Sequence, residues 1–415
     1  MKILLFTEIY DCGGIDTFII NLINNWPIKE DTFVIVANES YPGLDIIENN
    51  LSRPSEIVRH KKLIYSNLCN SSTLLRTTLR FLGPILRYFF IGFNILSFRS
   101  LLLATNADAL MVINGGYPSG DSCRAAALSW GMFSVKPLSI HNFHNIAQRA
   151  PWYLFLQEWV VDWLMCQYSA KFVTVSNAAA KSISFRPLID RKNITSYIHN
   201  GLSITHNAGG SENSVRDEIG ISRTTPLCLM LATYEPRKGH YFLFTAFKKV
   251  LKEIPDAHLL VCGYGFPHEI ECVSGYVRDM NLQDNVHLMG FRTDAAELLN
   301  SSDILVVASQ AYESFGYTSI EAMSNKIPVV ATNVGGIPEV VADGEGGYCV
   351  AHDDVNSYAD HITLLLKDKT LREEQGDLGY KRYKDLFSAK KMAAQYAEMI
   401  HASVILETEI IDQDA

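Results

Sequence analysis

Residues Ile304 to Val307 form a short, wholly apolar and largely β-branched run with no polar alternation, which suits a parallel strand buried on both faces. Phe315-Gly316 then turns the chain. Ile320 and Met323 sit one helical turn apart, so the spacing predicts a helix over Tyr317 to Ser324. Glu313 falls in the loop and Glu321 in the helix, so two carboxylates bracket one helix N-terminus. Amides at Phe315, Gly316 and Tyr317 favour an anionic or hydroxyl-rich ligand there, while the carboxylates can accept hydrogen bonds from ligand hydroxyls. A phosphorylated sugar meets both demands.

The same unit recurs along the chain. In the amino-terminal half, Lys2 to Thr7, Phe33 to Ala37, Ala109 to Asn114, Pro137 to His141 and Phe172 to Ser176 read as strands with helical segments between them. In the other half, Leu227 to Ala232, Leu259 to Gly263, Val286 to Gly290, Ile304 to Val307 and Pro328 to Thr332 do the same. This alternation predicts an α/β fold of doubly wound parallel sheets. With 415 residues, the chain divides into about two domains of ordinary size. We expect a first domain over 1–205, a second over 206–385, and a returning helix with an acidic tail over 386–415. Ser203 to Ser214, rich in Ser, Asn, Thr and Gly, is the expected linker. The first 205 residues carry 18 Lys+Arg against 14 Asp+Glu and the rest 18 against 31, so a basic half is joined to an acidic one. Eight scattered cysteines without a C-x-x-C pair, and a chain that opens directly on a strand, fit a cytoplasmic protein. No nucleic-acid partner is expected.

Ligand-type residues gather at predicted strand ends, the edge where open α/β sheets bind. Gly13-Gly14 breaks the chain after the first strand and can admit a phosphate or sugar, or serve as a turn alone. His141 ends a strand, with His144 close behind; lacking the spacing of a metal site, it suits a sugar cleft or a structural role. Arg237 and Lys238 stand between a strand and the helix Tyr241 to Glu253, placed to hold a diphosphate. Gly263 and Gly265 can let a base or ribose approach. Leu74 to Leu103 is apolar and helix-prone, and residues 51–107 hold eight bases against one acid. Gly83-Pro84 and Arg87 argue against a spanning helix, leaving a basic helix on anionic headgroups or an ordinary sheet-covering helix.

Taken in order, Gly13-Gly14, His141, Val175-Ser176, Asn200-Gly201, Arg237-Lys238-Gly239, Gly263-Tyr264-Gly265, Gly290-Phe291, Glu313 and Glu321 with seven residues between them, Glu321-Ala322-Met323 and Gly335-Gly336-Ile337-Pro338-Glu339 resemble the retaining glycosyltransferases of family four. The resemblance covers nearly the whole chain. It implies the GT-B fold of two facing Rossmann-like domains and transfer of a hexose-type sugar from a nucleotide diphosphate donor to a glycan acceptor, including a lipid-linked one at the inner face of a membrane. It also implies that Glu313 contacts the donor hexose, Glu321 the ribose, Lys238 the diphosphate, and Gly14 with His141 the acceptor side, with Glu313, Lys238 and His141 carrying the chemistry. No metal and no cofactor beyond the donor substrate are implied, and the one D-x-D match, Asp412-Gln413-Asp414, lies in the tail. The chain departs from the family pattern at Ala232-Thr233, where Gly-Arg is usual and Arg237 is the expected substitute, and at Lys326, where glycine is usual. A nucleotide-sugar epimerase or hydrolase, or a binding subunit without turnover, are the competing readings.

Overall fold

In the computed structural model the described residues are 1–10, 13–62, 73–118, 120–134, 139–204 and 212–413; side chains of 73–85, 212–214 and 405–413 are not described. The chain divides into two units, Met1–Gly201 with Ala389–Ala415, and Leu202–Ser388. The expected linker, Ser203 to Ser214, begins just past this division, and its residues 205–211 lie outside the described ones.

The first unit is a seven-stranded sheet in the order β3-β2-β1-β4-β5-β6-β7. Its strands are β1 (Lys2–Thr7), β2 (Thr32–Asn38), β3 (Ser55–His60), β4 (Ala109–Asn114), β5 (Ser139–Phe143), β6 (Ser169–Thr174) and β7 (Thr195–Tyr197), all paired in parallel. Side chains alternate across β1, so Ile3 and Leu5 enter one core and Leu4 and Phe6 the other. The first core is closed by helix Gly14–Asn24 and by the carboxyl-terminal helix Ala389–Gln413, through Phe18, Met392 and Tyr396. The Tyr396 hydroxyl accepts from Asn142 Nδ2 at 2.7 Å, which ties the last helix to β5. The second core is covered by helices Thr73–Ala104, Asp121–Phe133 and Phe155–Tyr168.

The second unit is a six-stranded sheet in the order β10-β9-β8-β11-β12-β13, with β8 (Leu227–Leu231), β9 (His258–Cys262), β10 (Val286–Met289), β11 (Ile304–Val307), β12 (Val329–Thr332) and β13 (Gly347–Val350). These strands too run parallel throughout. Strand order reverses between β8 and β11, which are direct neighbours, with Ile304 opposite Cys228. Loops leaving the carboxyl ends of such a pair diverge to opposite faces and open a crevice for a ligand.

Leu74 to Leu103 makes up most of helix Thr73–Ala104. The segment is helical, but Arg87 is not turned to solvent: its guanidinium bonds both oxygens of Asp121 at 2.5 and 2.8 Å. Arg99 lies over the Phe133 ring at 4.8 Å, and the Arg76 and Arg80 side chains fall outside the described set. Leu86–Ala104 is long and apolar enough to cross a membrane by length and composition, yet the ion pair of Arg87 with Asp121 ties it to helix Asp121–Phe133.

Candidate functional site

The crevice between β8 and β11 brings the sequence-predicted cations and the first glutamate together. Pro236–Lys238 forms a short 3-10 turn after β8, and Gly239 follows it with φ 75. A Cβ on Gly239 would lie 1.9 Å from the Ala308 carbonyl oxygen, so only glycine lets the two loops meet here. The Gln310 amide bonds the Arg237 carbonyl at 2.8 Å and fixes that meeting. Across it, Lys238 Nζ reaches Glu313 Oε2 at 2.5 Å, Ser309 Oγ donates to the same oxygen at 3.3 Å, and Arg237 stands 3.7 Å away. Arg237 is shared: its Nε donates to Glu235 at 2.6 Å and its guanidinium lies 5.0 Å from the Tyr312 ring centre. Thr233 Oγ1 in turn donates to Glu235 at 2.9 Å.

Glu313 is held from behind by the paired glycines after β12. The Gly336 amide donates to the Glu313 carbonyl at 2.8 Å. Gly335 sits at φ 58, where a Cβ would come within 2.1 Å of that same oxygen. Gly316, at φ 98, starts the helix Tyr317–Ser324, and Phe315 is buried with its ring against Phe387.

Glu321 faces a different environment. Its carboxylate has no partner among the described residues; it lines a cavity of about 300 Å³ whose other wall comes from Thr293 to Asn300, with Leu202 and Asn325 at its edges. Burial without a compensating cation pushes its carboxyl up to about 7. The segment 293–300 was not among the sequence-predicted site residues; its position after β10 is the signal that could have found it. A cavity of this size falls at the small end for a nucleoside-sized ligand.

Three predicted site residues behave differently. A Cβ on Gly263 would lie 1.8 Å from the Ala232 carbonyl oxygen, and one on Gly265 2.6 Å from Tyr234 Cβ, so the chain's own loop uses the space expected for a ligand. His141 is fully buried in the middle of β5, stacked on Phe172 at 6.0 Å and beside Phe143 at 4.8 Å, with neither ring nitrogen bonded. Burial, with the nearby Arg124 charge, lowers it to about 3, so it is a neutral core residue rather than a cleft residue. The strand continues to Phe143, and His144 is the histidine that follows its end. The His144 ring packs edge-on to Phe18 at 4.4 Å, and its Nε2 has no partner among the described residues. Gly14 begins helix Gly14–Asn24, but residues 11–12 of its loop lie outside the described ones.

The second unit also carries the family signature: a family model for glycosyl transferases group 1 matches residues 211–382. This segment is a glycosyl transferases group 1 domain. Both glutamates, both cations and the cavity of Glu321 lie within the group 1 domain, apart from the Leu202 edge. Among curated relatives, an N-acetyl-alpha-D-glucosaminyl L-malate synthase of Bacillus anthracis is 32% identical over 191 residues, 46% of this chain and 49% of the relative. A phosphatidyl-myo-inositol mannosyltransferase of Mycobacterium leprae is 31% identical over 179 residues, 42% and 45%. The chain thus spans about half the length of these relatives. Solved structures extend the likeness to the whole fold. A glycosyltransferase from Rickettsia africae has a TM-score of 0.74 at 19% identity, covering 97% of this chain and 98% of that one. HepE of Anabaena, solved with UDP and glucose, has a TM-score of 0.72 at 18% identity over 97% and 99%. The two parallel-sheet units therefore have the expected GT-B fold class. Among the described residues no three His, Cys, Asp or Glu side chains are grouped to hold a metal ion.

Proposed function

We propose that this chain is a retaining glycosyltransferase that moves a hexose-type sugar from a nucleotide diphosphate to a glycan acceptor. The observation that carries the reading is the division of labour at the β8/β11 crevice: Lys238 and Arg237 gather on Glu313, while Glu321 waits unpaired in its cavity. A ribose diol supplies the hydrogen-bond donors that Glu321 lacks, and a diphosphate supplies the anion that the two cations can hold. As the sugar bond breaks, negative charge builds on the departing diphosphate, and cations fixed in a closed crevice stabilise it far better than water does. The acceptor hydroxyl attacks the same face of the sugar and its proton passes to the departing diphosphate oxygen. Glu313 then faces the sugar as positive charge develops on it. No metal ion or further cofactor is needed in this scheme, since Lys238 and Arg237 take the cation's part.

HepE, solved with UDP and glucose, supports a nucleotide-sugar donor, and the phosphatidyl-myo-inositol mannosyltransferases among the relatives make a lipid-linked acceptor a fitting partner. A thermal-shift screen of nucleotide sugars, followed by product analysis with and without glycan acceptors, tests the proposal. A donor that raises the melting temperature by mass action and yields glycoside only with acceptor supports it. Free sugar or an epimerised donor without acceptor replaces it with a hydrolase or epimerase, and binding without any product replaces it with a binding subunit.

A further inference from the structure

Helix Phe155–Tyr168, with the 3-10 turn Trp152–Leu154 before it, is apolar on both faces. Its inward face buries Glu158 and Asp162 beside Val161 and Met165. Its outward face carries Trp152 at 88% exposure, Phe155 at 60%, Leu156 at 70%, Trp159 at 45% and Trp163 at 48%. A surface helix in water usually carries polar side chains on its outward face. The inward carboxylates are tolerated because they join a network of buried arginines. Arg124 bonds Glu158 at 2.9 Å and Asp121 at 2.6 Å, Arg186 bonds Asp162 at 2.7 and 2.8 Å and also Glu158, and Arg87 completes Asp121. Tyr88 and Tyr117 donate to Glu158 and Asp162 at 2.7 and 2.6 Å. Such buried ion networks seldom stabilise more than apolar packing of the same volume. Folding in water alone gives no reason to point three tryptophans outward and two carboxylates in.

We infer that this outward face is a membrane-interface patch, occupied by the headgroup region of an anionic bilayer. Tryptophan and tyrosine are the side chains that favour that boundary, with an apolar ring body and a polar N–H or O–H. The exposed charges nearby in sequence fit an anionic surface: between residues 144 and 192, Arg149, Lys171, Lys181, Arg191 and Lys192 are exposed against Asp190 alone. Arg149 stacks on the exposed Phe185 ring at 4.9 Å, and Arg191 and Lys192 end helix Pro187–Lys192, which packs on this helix. The same charge excess disfavours a second copy, since an isologous contact would bring like charges together. Helix Thr73–Ala104 reaches helix Phe155–Tyr168 through the hydrogen bond from Tyr88 to Glu158 and exposes Phe89, Phe93 and Leu96. Lipid contact is therefore aromatic and centred on Phe155–Tyr168, rather than on the arginines of the earlier helix. The inference is independent of any sugar chemistry.

Three of the chain's five tryptophans lie on this face, while Trp26 and Trp130 are buried, so intrinsic fluorescence reports on it directly. The full chain is mixed with phosphatidylcholine vesicles, with and without phosphatidylglycerol, and with vesicles carrying brominated acyl chains. The expected result is a blue shift and bromine quenching strongest with phosphatidylglycerol, and vesicle affinity lowered roughly tenfold or more in Trp152→Ser/Trp159→Ser/Trp163→Ser with an unchanged circular dichroism spectrum. Absence of quenching with every vesicle overturns the inference, as does unaltered affinity in the triple variant. A lipid-free dimer that the triple variant dissociates, seen by sedimentation velocity, would assign the face to a second copy instead.

Discussion

Glu321 makes the donor reading testable through pH alone. Its carboxyl, pushed up to about 7 by burial, has no hydrogen-bond donor among the described residues, and a charge-assisted bond from a ribose diol favours the ionised form. Proton and nucleotide therefore compete for one group. Below the folded pKa the ionised fraction falls about tenfold per pH unit, so the apparent Kd for a nucleotide sugar should rise roughly tenfold between pH 8 and pH 6, a loss of about 1.4 kcal/mol. The free protein shows the opposite slope. A carboxyl raised above its unfolded value of 4.5 contributes stability that is fully present below pH 4.5. That contribution is lost as pH rises through about 7, about 3 kcal/mol over the whole window. Calorimetry with a nucleotide sugar, whose diphosphate diester does not titrate in this range, should show at pH 7 the release of roughly half a proton per site when run in buffers of different ionisation heat. Glu321→Gln keeps the shape and removes the titration, so both slopes should vanish. A Kd independent of pH in the unaltered protein, or a slope that survives in Glu321→Gln, would refute the reasoning.

Lys238→Ala should lower turnover by roughly 100-fold or more, the cost of one preorganised donor at a developing anion; steady-state kinetics in the presence of EDTA checks this, and full activity in the variant or activity restored only by manganese counts against it. Glu313→Gln releases Lys238 from its 2.5 Å ion pair, so nucleoside diphosphate affinity should hold or tighten while turnover falls; weaker nucleotide binding with normal turnover would contradict the placement. Lys326, at φ 59 in the left-handed region, carries strain that glycine does not, and Lys326→Gly should raise stability by about 1 kcal/mol in denaturant titration, with loss of stability as the contrary result.

Strands buried on both faces were legible because their apolar runs admit no other reading, and β4, β11 and helix Tyr317–Ser324 lie where the spacing put them. The ends of those strands were harder. All of β5 from Ser139 to Phe143 is buried, the polar Asn142 included, so a polar residue does not mark where it stops; ending it early put His141 at the edge and His144 in the loop. β3 and β13 were missed because edge strands alternate weakly and mix polar residues, as Ser55-Glu56-Ile57-Val58-Arg59-His60 does. The glycines were read for their freedom but not for what occupies it: at Gly263 the occupant is the Ala232 carbonyl, a contact across strands that spacing cannot express. The buried carboxylates of helix Phe155–Tyr168 were invisible for a related reason, since they turn inward only because Arg124 and Arg186 arrive from elsewhere in the chain.

The two glutamates show how far chemistry can be divided between residues of one type eight positions apart. Glu313 lies in the loop where Lys238, Arg237 and Ser309 converge, its carbonyl held by Gly336. Glu321 lies one helix turn past the same N-terminus, beside a cavity and no cation among the described residues; its neighbours favour the proton. A ligand that presents a diphosphate to the first environment and a diol to the second changes both at once, drawing Lys238 and Arg237 toward phosphate and ionising Glu321. The Glu313 carboxylate that this exchange uncovers is then the nearest negative charge to whatever is bonded to the diphosphate. A sugar acquiring positive charge at that point gains from it only in the transition state, which is the kind of interaction that raises turnover rather than affinity.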